Sequence, residues 1–256
     1  MRILVFVMCA LVIAMLPPQV GGAEAQSRIV TGDVIANRTV TLATRIMGRI
    51  TVVHAEEGEM VKAGQVIVEL DDAEYQAKLR STEAALERMR VELAHRKRIK
   101  GRLAKLAKKN ATSEEAMDEA EYTYQVAQSN LKAGQAEIDG INATLAETRI
   151  EVPFDAVVVR KFAEIGLVTQ PGEALYQIQD QSRLKFRARV KEGDLAHIKL
   201  NDQARITIPA LGDEAVSATV ITIIPAGDER HTFIVELELP KKPGLYPGMF
   251  GKAVFD

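Results

Sequence analysis

Nine positions between Met117 and Leu145 constrain this 256-residue chain more than any others. Met117, Ala120, Tyr124, Ala127, Leu131, Gly134, Ile138, Ile141 and Leu145 follow one another in steps of three and four. Only an α-helix brings such a series to one face, and this alternation is the seam of a coiled coil about four heptads long. A seam needs a partner. Upstream, Tyr75, Leu79, Leu86, Met89 and Leu93 form one, which resumes after a phase shift through Ile99, Leu103 and Leu106. No proline lies between Asp72 and Thr148, so two long helices of roughly 50–55 Å each are expected.

Charge divides between the same two segments. Residues 72–109 carry 12 Lys/Arg against 5 Asp/Glu, and residues 113–148 carry 1 against 8. Fields of opposite sign favour antiparallel contact, although each exposed pair contributes only about 0–1 kcal/mol. The connection is short. Asn110 suits a helix C-terminus, and Thr112-Ser113-Glu114-Glu115 reads as a capping box opening the second helix. The segment 72–149 is therefore expected to be an antiparallel α-helical coiled-coil hairpin. It buries only its own seam, so its tip projects from whatever body carries it, as a spacer, a self-association arm or a docking probe.

The hairpin interrupts an internal repeat. At a constant offset of 108 residues, Gly58 answers to Gly166, Gly64 to Gly172, Ile67 to Leu175 and Leu70 to Ile178, with Ile50 and Val158 upstream. Each copy is a β-rich run broken by two glycines six apart, which reads as strand, tight turn, strand. Two half-motifs, 46–71 and 150–181, are expected to close into one small sandwich.

The first 25 residues read as an address. Arg2 precedes an apolar run from Ile3 to Leu16, then two prolines and a small-residue stretch ending at Ala25. The run is shorter than the roughly 20 residues a spanning helix needs, so a signal peptide cleaved after about Ala25 is expected. The single Cys9 lies within that run and not after it, so no lipid anchor is expected; beyond Ala25 the chain has no cysteine, as suits an oxidising compartment. A formal charge of -2 and 5% aromatic residues argue against nucleic acid as a partner.

The half-motifs are similar to a lipoyl-like pair on Gly48-Arg49-Ile50, Glu57-Gly58, Gly64-Gln65 and Leu70-Asp71, then on Val152-Pro153-Phe154-Asp155, Gly166, Pro171-Gly172 and Leu175. Val190-Lys191-Glu192-Gly193-Asp194-Leu195 and Leu245-Tyr246-Pro247-Gly248-Met249-Phe250 follow. On these residues the chain resembles the HlyD/AcrA-like periplasmic adaptor (membrane fusion) proteins of tripartite efflux pumps. Ala156 departs from the usual glycine of that pattern. The resemblance implies an elongated α+β, mainly β, multi-module fold: lipoyl-like sandwich, hairpin, then a β-barrel over 182–256, with 26–45 supplying an opening barrel strand.

The same resemblance implies a function. The adaptor would couple an inner-membrane resistance-nodulation-division (RND) transporter to a TolC-type outer-membrane channel, as a trimer or hexamer or mixed with a second adaptor, in the periplasm at the inner membrane. Family adaptors carry Arg, then Leu four residues on, then Ser seven further, at the tip; Arg102, Leu106 and Ser113 match that spacing. A forked donor, an apolar anchor and a compact polar group suit docking. The plain alternative makes Leu106 seam, Arg102 a solvated charge and Ser113 a cap. The chain stops soon after Pro247-Gly248-Met249, without the family's further membrane-proximal domain, so transporter docking is expected to use the barrel or a second adaptor.

Other chemistry is not expected. No lysine stands at a lipoyl attachment turn, so no swinging-arm cofactor is implied. His54, His95, His197 and His231 are scattered, and Met89 and Met117 belong to the seam, so no metal site, cofactor or catalytic constellation is expected. The competing functions are an adaptor for an ABC-type exporter and a periplasmic ligand-binding module with a self-associating arm.

Overall fold

The computed structural model describes residues 28–212 and 214–255. The expected leader, its Cys9 and the cleavage after Ala25 lie outside the described residues. The chain begins with β1 (Arg28–Ala43), β2 (Gly48–Val53), β3 (Met60–Val61) and β4 (Val66–Leu70), then the helices α1 (Ala73–Ala107) and α2 (Glu114–Ala146). It continues through β5 (Arg149–Glu151), β6 (Ala156–Lys161), β7 (Val168–Thr169) and β8 (Ala174–Lys191). A short α3 (Glu192–Leu195) leads to β9 (Gln203–Thr207), β10 (Ala215–Ile224), β11 (Thr232–Leu239) and β12 (Phe250–Phe255). The fold is mainly β, a sandwich and a barrel with the helical pair inserted into the sandwich.

The repeat is structural down to its irregularities. Adding 108 to β2, β3 and β4 gives β6, β7 and the start of β8, and β5 answers to the end of β1. Strand β2 pairs with β7 at Gly48–Thr169 and Arg49–Val168, and β6 pairs with β3 at Ala156–Val61 and Val157–Met60. The register shift that separates Ile50–Leu70 from Val52–Glu69 recurs between Val158–Ile178 and Arg160–Gln177. Each half thus lends a strand to the other's sheet, closing a two-layer core on Ile50, Ile67, Leu175, Tyr176 and Ile178. The turn glycines Gly58, Gly64, Gly166 and Gly172 have φ of 84°, 76°, 90° and 87°, the left-handed region that side-chain-bearing residues avoid.

The barrel closes in the order β1-β12-β9-β10-β11-β8, with β8 pairing back to β1. Its core holds Val34, Phe186, Ile206, Val220 and Leu237, each at most 1% exposed. Strand β1 serves both modules. Val30 and Val34 enter the barrel core, whereas Val40 and Leu42 pack on the sandwich core. Strand β8 does the same, with Tyr176 and Ile178 in one core and Phe186, Ala188 and Val190 in the other.

Where both strands cross between modules, Asp180 takes an inward position and is 4% exposed. Its carboxylate accepts hydrogen bonds from Asn37 Nδ2 at 2.8 Å, Arg38 Nη2 at 3.2 Å, and the Ser182 amide and hydroxyl at 3.0 and 2.5 Å. Arg38 also lies 4.2 Å from the centroid of the Phe154 ring, tying the sandwich to the same point. Burial pushes the Asp180 pKa up, but the bonds from Ser182, Asn37 and Arg38 outweigh it and hold the group at about 2.

Candidate functional site: the hairpin and its tip

The two helices meet along the heptad seam. Ala120, Ala127, Gly134, Ile138 and Ile141 of α2 are buried along it, as are Thr82 and Leu86 of α1. A Cβ at Gly134 would stand 2.9 Å from the Met89 sulfur and 3.1 Å from Leu86 Cδ1, so glycine there sets how closely the helices approach. The α1 stripe has no phase shift. It runs through Thr82, Arg96 and Lys100, all at least partly buried, in the positions between Leu79, Leu86, Leu93 and Leu103. Long aliphatic stems let the two cations occupy seam sites while their heads reach out. Lys100 Nζ meets Glu121 at 2.5 Å and lies 4.5 Å from the Tyr124 ring centroid. The hydrogen bond from Lys100, with a second from Gln125, lowers the Glu121 pKa.

Charge segregation does not work as expected across the seam. Among the described residues, Lys100–Glu121 is the one ion pair joining the two helices. The pairs Arg90–Glu87 and Arg96–Glu92 stay within α1, and at the hairpin base Glu147 and Arg149 pair with Arg45 and with Glu69 of β4. Apolar burial, not charge, holds the hairpin together.

At the tip, α1 ends at Ala107 and the chain turns through Asn110, whose φ is 53°. The Ala111 amide donates to the Leu106 carbonyl at 3.0 Å, which closes the turn. Ser113 then caps α2, its hydroxyl accepting from the Ala116 amide at 3.2 Å. Arg102, Leu106 and Ser113 are all exposed, Leu106 by 37%. Leu106 is therefore not a buried seam residue, and Arg102 has no ion-pair partner among the described residues. Ser113 has a structural task of its own. Arg102 lies five residues before the end of α1, about 7.5 Å along its axis. The three residues share the distal end of the hairpin but no direct contact joins them.

Two features of this end escape the seam pattern. Tyr122 is 64% and Val126 40% exposed, flanking a cleft of about 320 Å³ that Met89, Glu92 and Arg96 also line. The signal for Tyr122 is a second three-four series through Glu115, Asp118, Tyr122 and Gln125, two residues out of step with the seam; Val126 lies outside both series.

Residues 38–180 match the family model described as CzcB-like, barrel-sandwich hybrid domain, and residues 186–256 the CusB-like, beta-barrel domain. The chain belongs to the membrane fusion, or periplasmic adaptor, protein family. Its adaptors are not enzymes. The multidrug resistance protein MdtA of Pantoea ananatis (strain AJ13355) is 32% identical over 211 residues, 75% of this chain and 52% of that one. MdtA of Escherichia coli (strain 55989 / EAEC) is 30% identical over 152 residues, 59% of this chain and 37% of that one. The chain thus spans about a third to a half of the length of these curated relatives.

Among solved structures, MacA from Actinobacillus actinomycetemcomitans superposes with a TM-score of 0.79 at 21% identity, over 90% of this chain and 78% of that one. The membrane fusion protein Spr0693 from Streptococcus pneumoniae R6 gives 0.73 at 15% identity, over 89% and 97%. At such identities the likeness is one of fold. Among the described residues, no three or more His, Cys, Asp or Glu are placed to hold a metal ion, and no helix is long and apolar enough to cross a membrane.

Proposed function

We propose that this chain is the adaptor subunit of a tripartite efflux pump, placed in the periplasm at the inner membrane. In this reading its barrel faces an RND transporter and its hairpin tip meets a TolC-type outer-membrane channel. Three or six copies, or a mixture with a second adaptor, surround the conduit. The modules are the sandwich halves 46–71 and 150–181, the hairpin 72–149 and the barrel 182–256, with the strand in 26–45 shared between sandwich and barrel. The multidrug-resistance relatives make drug export the class of function to test first.

The observation that supports the reading is the state of the tip. Helices of 35 and 33 residues carry it about 50 Å from the sandwich, and it presents Arg102 and Leu106 without an internal use for either. An exposed leucine beside an unpaired arginine is a docking pair: the leucine loses water on contact, and the guanidinium offers its fork to a carbonyl or carboxylate. Ser113 holds the turn in shape and leaves the second lone pair of its hydroxyl oxygen for a partner.

The test is complementation. Leu106→Asp and Arg102→Glu, each in a strain lacking the native protein, are expected to lose drug resistance and co-purification with the channel. Helix content and export should stay as in the wild type. Full resistance with both substitutions present would overturn the docking role of these residues.

A further inference from the structure

Strand β8 loses its neighbours at one place. On one edge β6 covers it as far as Val157–Gln179, and β11 takes over only at Leu239–Leu184. On the other edge the ladder with β1 breaks at the same point. Gln181, Ser182 and Arg183 stand opposite Asn37 alone, between the pairs Arg38–Asp180 and Ala36–Leu184. A bulge of this kind re-aims the side chains it carries. A cleft of about 280 Å³ opens there, well away from the hairpin, and the connection from β11 to β12 lines its other side.

The cleft has an apolar floor and a cationic rim. Leu239 and Leu245 are buried in the barrel core and Leu184 packs on it, so the cleft reaches the sandwich end of that core. Arg183, Lys241 and Lys242 line it too, with Glu238 the one carboxylate among the described lining residues. These charges are only partly used. Lys242 is held by Glu214 at 2.6 Å, but Arg183 stands 3.9 Å from Glu238 with 74% of its side chain exposed. Lys241 is exposed and has no ion-pair partner among the described residues. Pro240 and Pro243 stiffen the chain on either side of the lysine pair, and the Leu245 amide closes the turn on the Lys242 carbonyl at 3.3 Å. The cations are therefore in place before a ligand arrives.

We propose that this cleft binds a small amphipathic anion, a carboxylate carrying a short aliphatic tail. The leucines let the tail leave water, and the arginine fork with the free lysine gives the carboxylate its counter-charge. The cleft falls just short of the roughly 300–1,000 Å³ of ordinary small-molecule sites, so the tail is short. The site has a mechanical neighbour as well. Gln181 and Ser182 line it, and Ser182 gives its amide and hydroxyl to Asp180 where β1 and β8 cross between the modules. An occupant therefore bears on the turn that ties sandwich to barrel. No tip residue takes part, so the site stands whether or not the tip meets a channel.

Calorimetric titration of the purified protein with octanoate tests it. Binding is expected with a Kd of about 0.1–1 mM. Hexanoate, two methylenes shorter, is expected to bind about tenfold more weakly. Acetate, without the tail, and octanol, without the charge, are expected to be weaker by at least about tenfold. Arg183→Gln with Lys241→Gln removes two charges at exposed positions. That variant should melt like the wild type and bind octanoate about tenfold more weakly. Arg183→Lys with Lys241→Arg, which keeps both charges, should bind as the wild type does. Hydrogen exchange should slow with octanoate at residues 180–185 and 238–245. No binding at about 10 mM octanoate, or equal affinity for octanol, would overturn the proposal. So would wild-type binding by the folded Gln variant, or protection confined to the hairpin.

Discussion

The barrel and the hairpin come from one chain and obey different rules. In the barrel, Phe186, Ala188 and Val190 are fully buried within a sheet that closes on itself, so side chains and backbone alike are committed to the fold. In the hairpin, α1 fully buries only Thr82 and Leu86 of its 35 residues, the rest of its seam is half-buried, and most of its surface is exposed. The difference teaches where selection can act without cost to folding. A barrel residue serves the structure first, whereas a residue at the distal hairpin can be spent on a partner.

The sharpest way to break the contrast is in the barrel core. Phe186→Ala is expected to destabilise the protein by about 3–5 kcal/mol, read by chemical denaturation, because a closed barrel cannot collapse onto the cavity. The hairpin counterpart is expected to be smaller and local. Gly134→Leu overpacks the seam against Met89 and Leu86 and costs about 1–3 kcal/mol. Hydrogen exchange should show faster opening of α1 and α2, with barrel amides unchanged.

The junction supplies an intermediate case. Asp180→Asn weakens the acceptor that Asn37, Arg38 and Ser182 share, at a cost of about 1–3 kcal/mol. Its pH dependence has a definite sign. Burial opposed by stronger hydrogen bonding holds the folded carboxyl at about 2, against an ordinary 3.8, so its contribution is present above that higher value and is lost as pH falls through the interval to about 2. Acid titration of stability should therefore lose part of its slope between pH 3.8 and about 2 in Asp180→Asn. An unchanged slope would assign the acid sensitivity to other carboxylates. The smallest effect is expected at Ser113→Ala, about 1 kcal/mol of local helix stability from the lost cap, with no change in the melting of the body.

How much of this the sequence disclosed depends on how local the signal is. The paired glycines needed no partner information, because a left-handed turn shows directly as glycine, and Gly58 and Gly166 mark it twice. The α2 seam was equally plain. The α1 seam was not, because Arg96 and Lys100 stand where apolar residues were sought, and a charged label hides an apolar stem. The double use of β1 and β8 left no mark either. The five polar residues from Gln179 to Arg183 interrupt the alternation and read as a break between strands, and a buried aspartate held by five donor atoms looks in sequence like an ordinary turn residue. Charge segregation was visible but misassigned: counting shows that the helices differ in sign, and only the fold shows that a single pair, Lys100–Glu121, joins them among the described residues.

The docking role of the tip is the central claim, and in-cell crosslinking tests it most directly. Ser113 caps α2, so the probe cysteine belongs at Ala111, exposed in the turn, in a Cys9→Ser background, with Ser217 on the barrel surface as the control position. The account predicts an adduct with an outer-membrane channel from Ala111→Cys and none from Ser217→Cys. A folded, exported protein whose tip crosslinks only to itself, or to nothing, would contradict it.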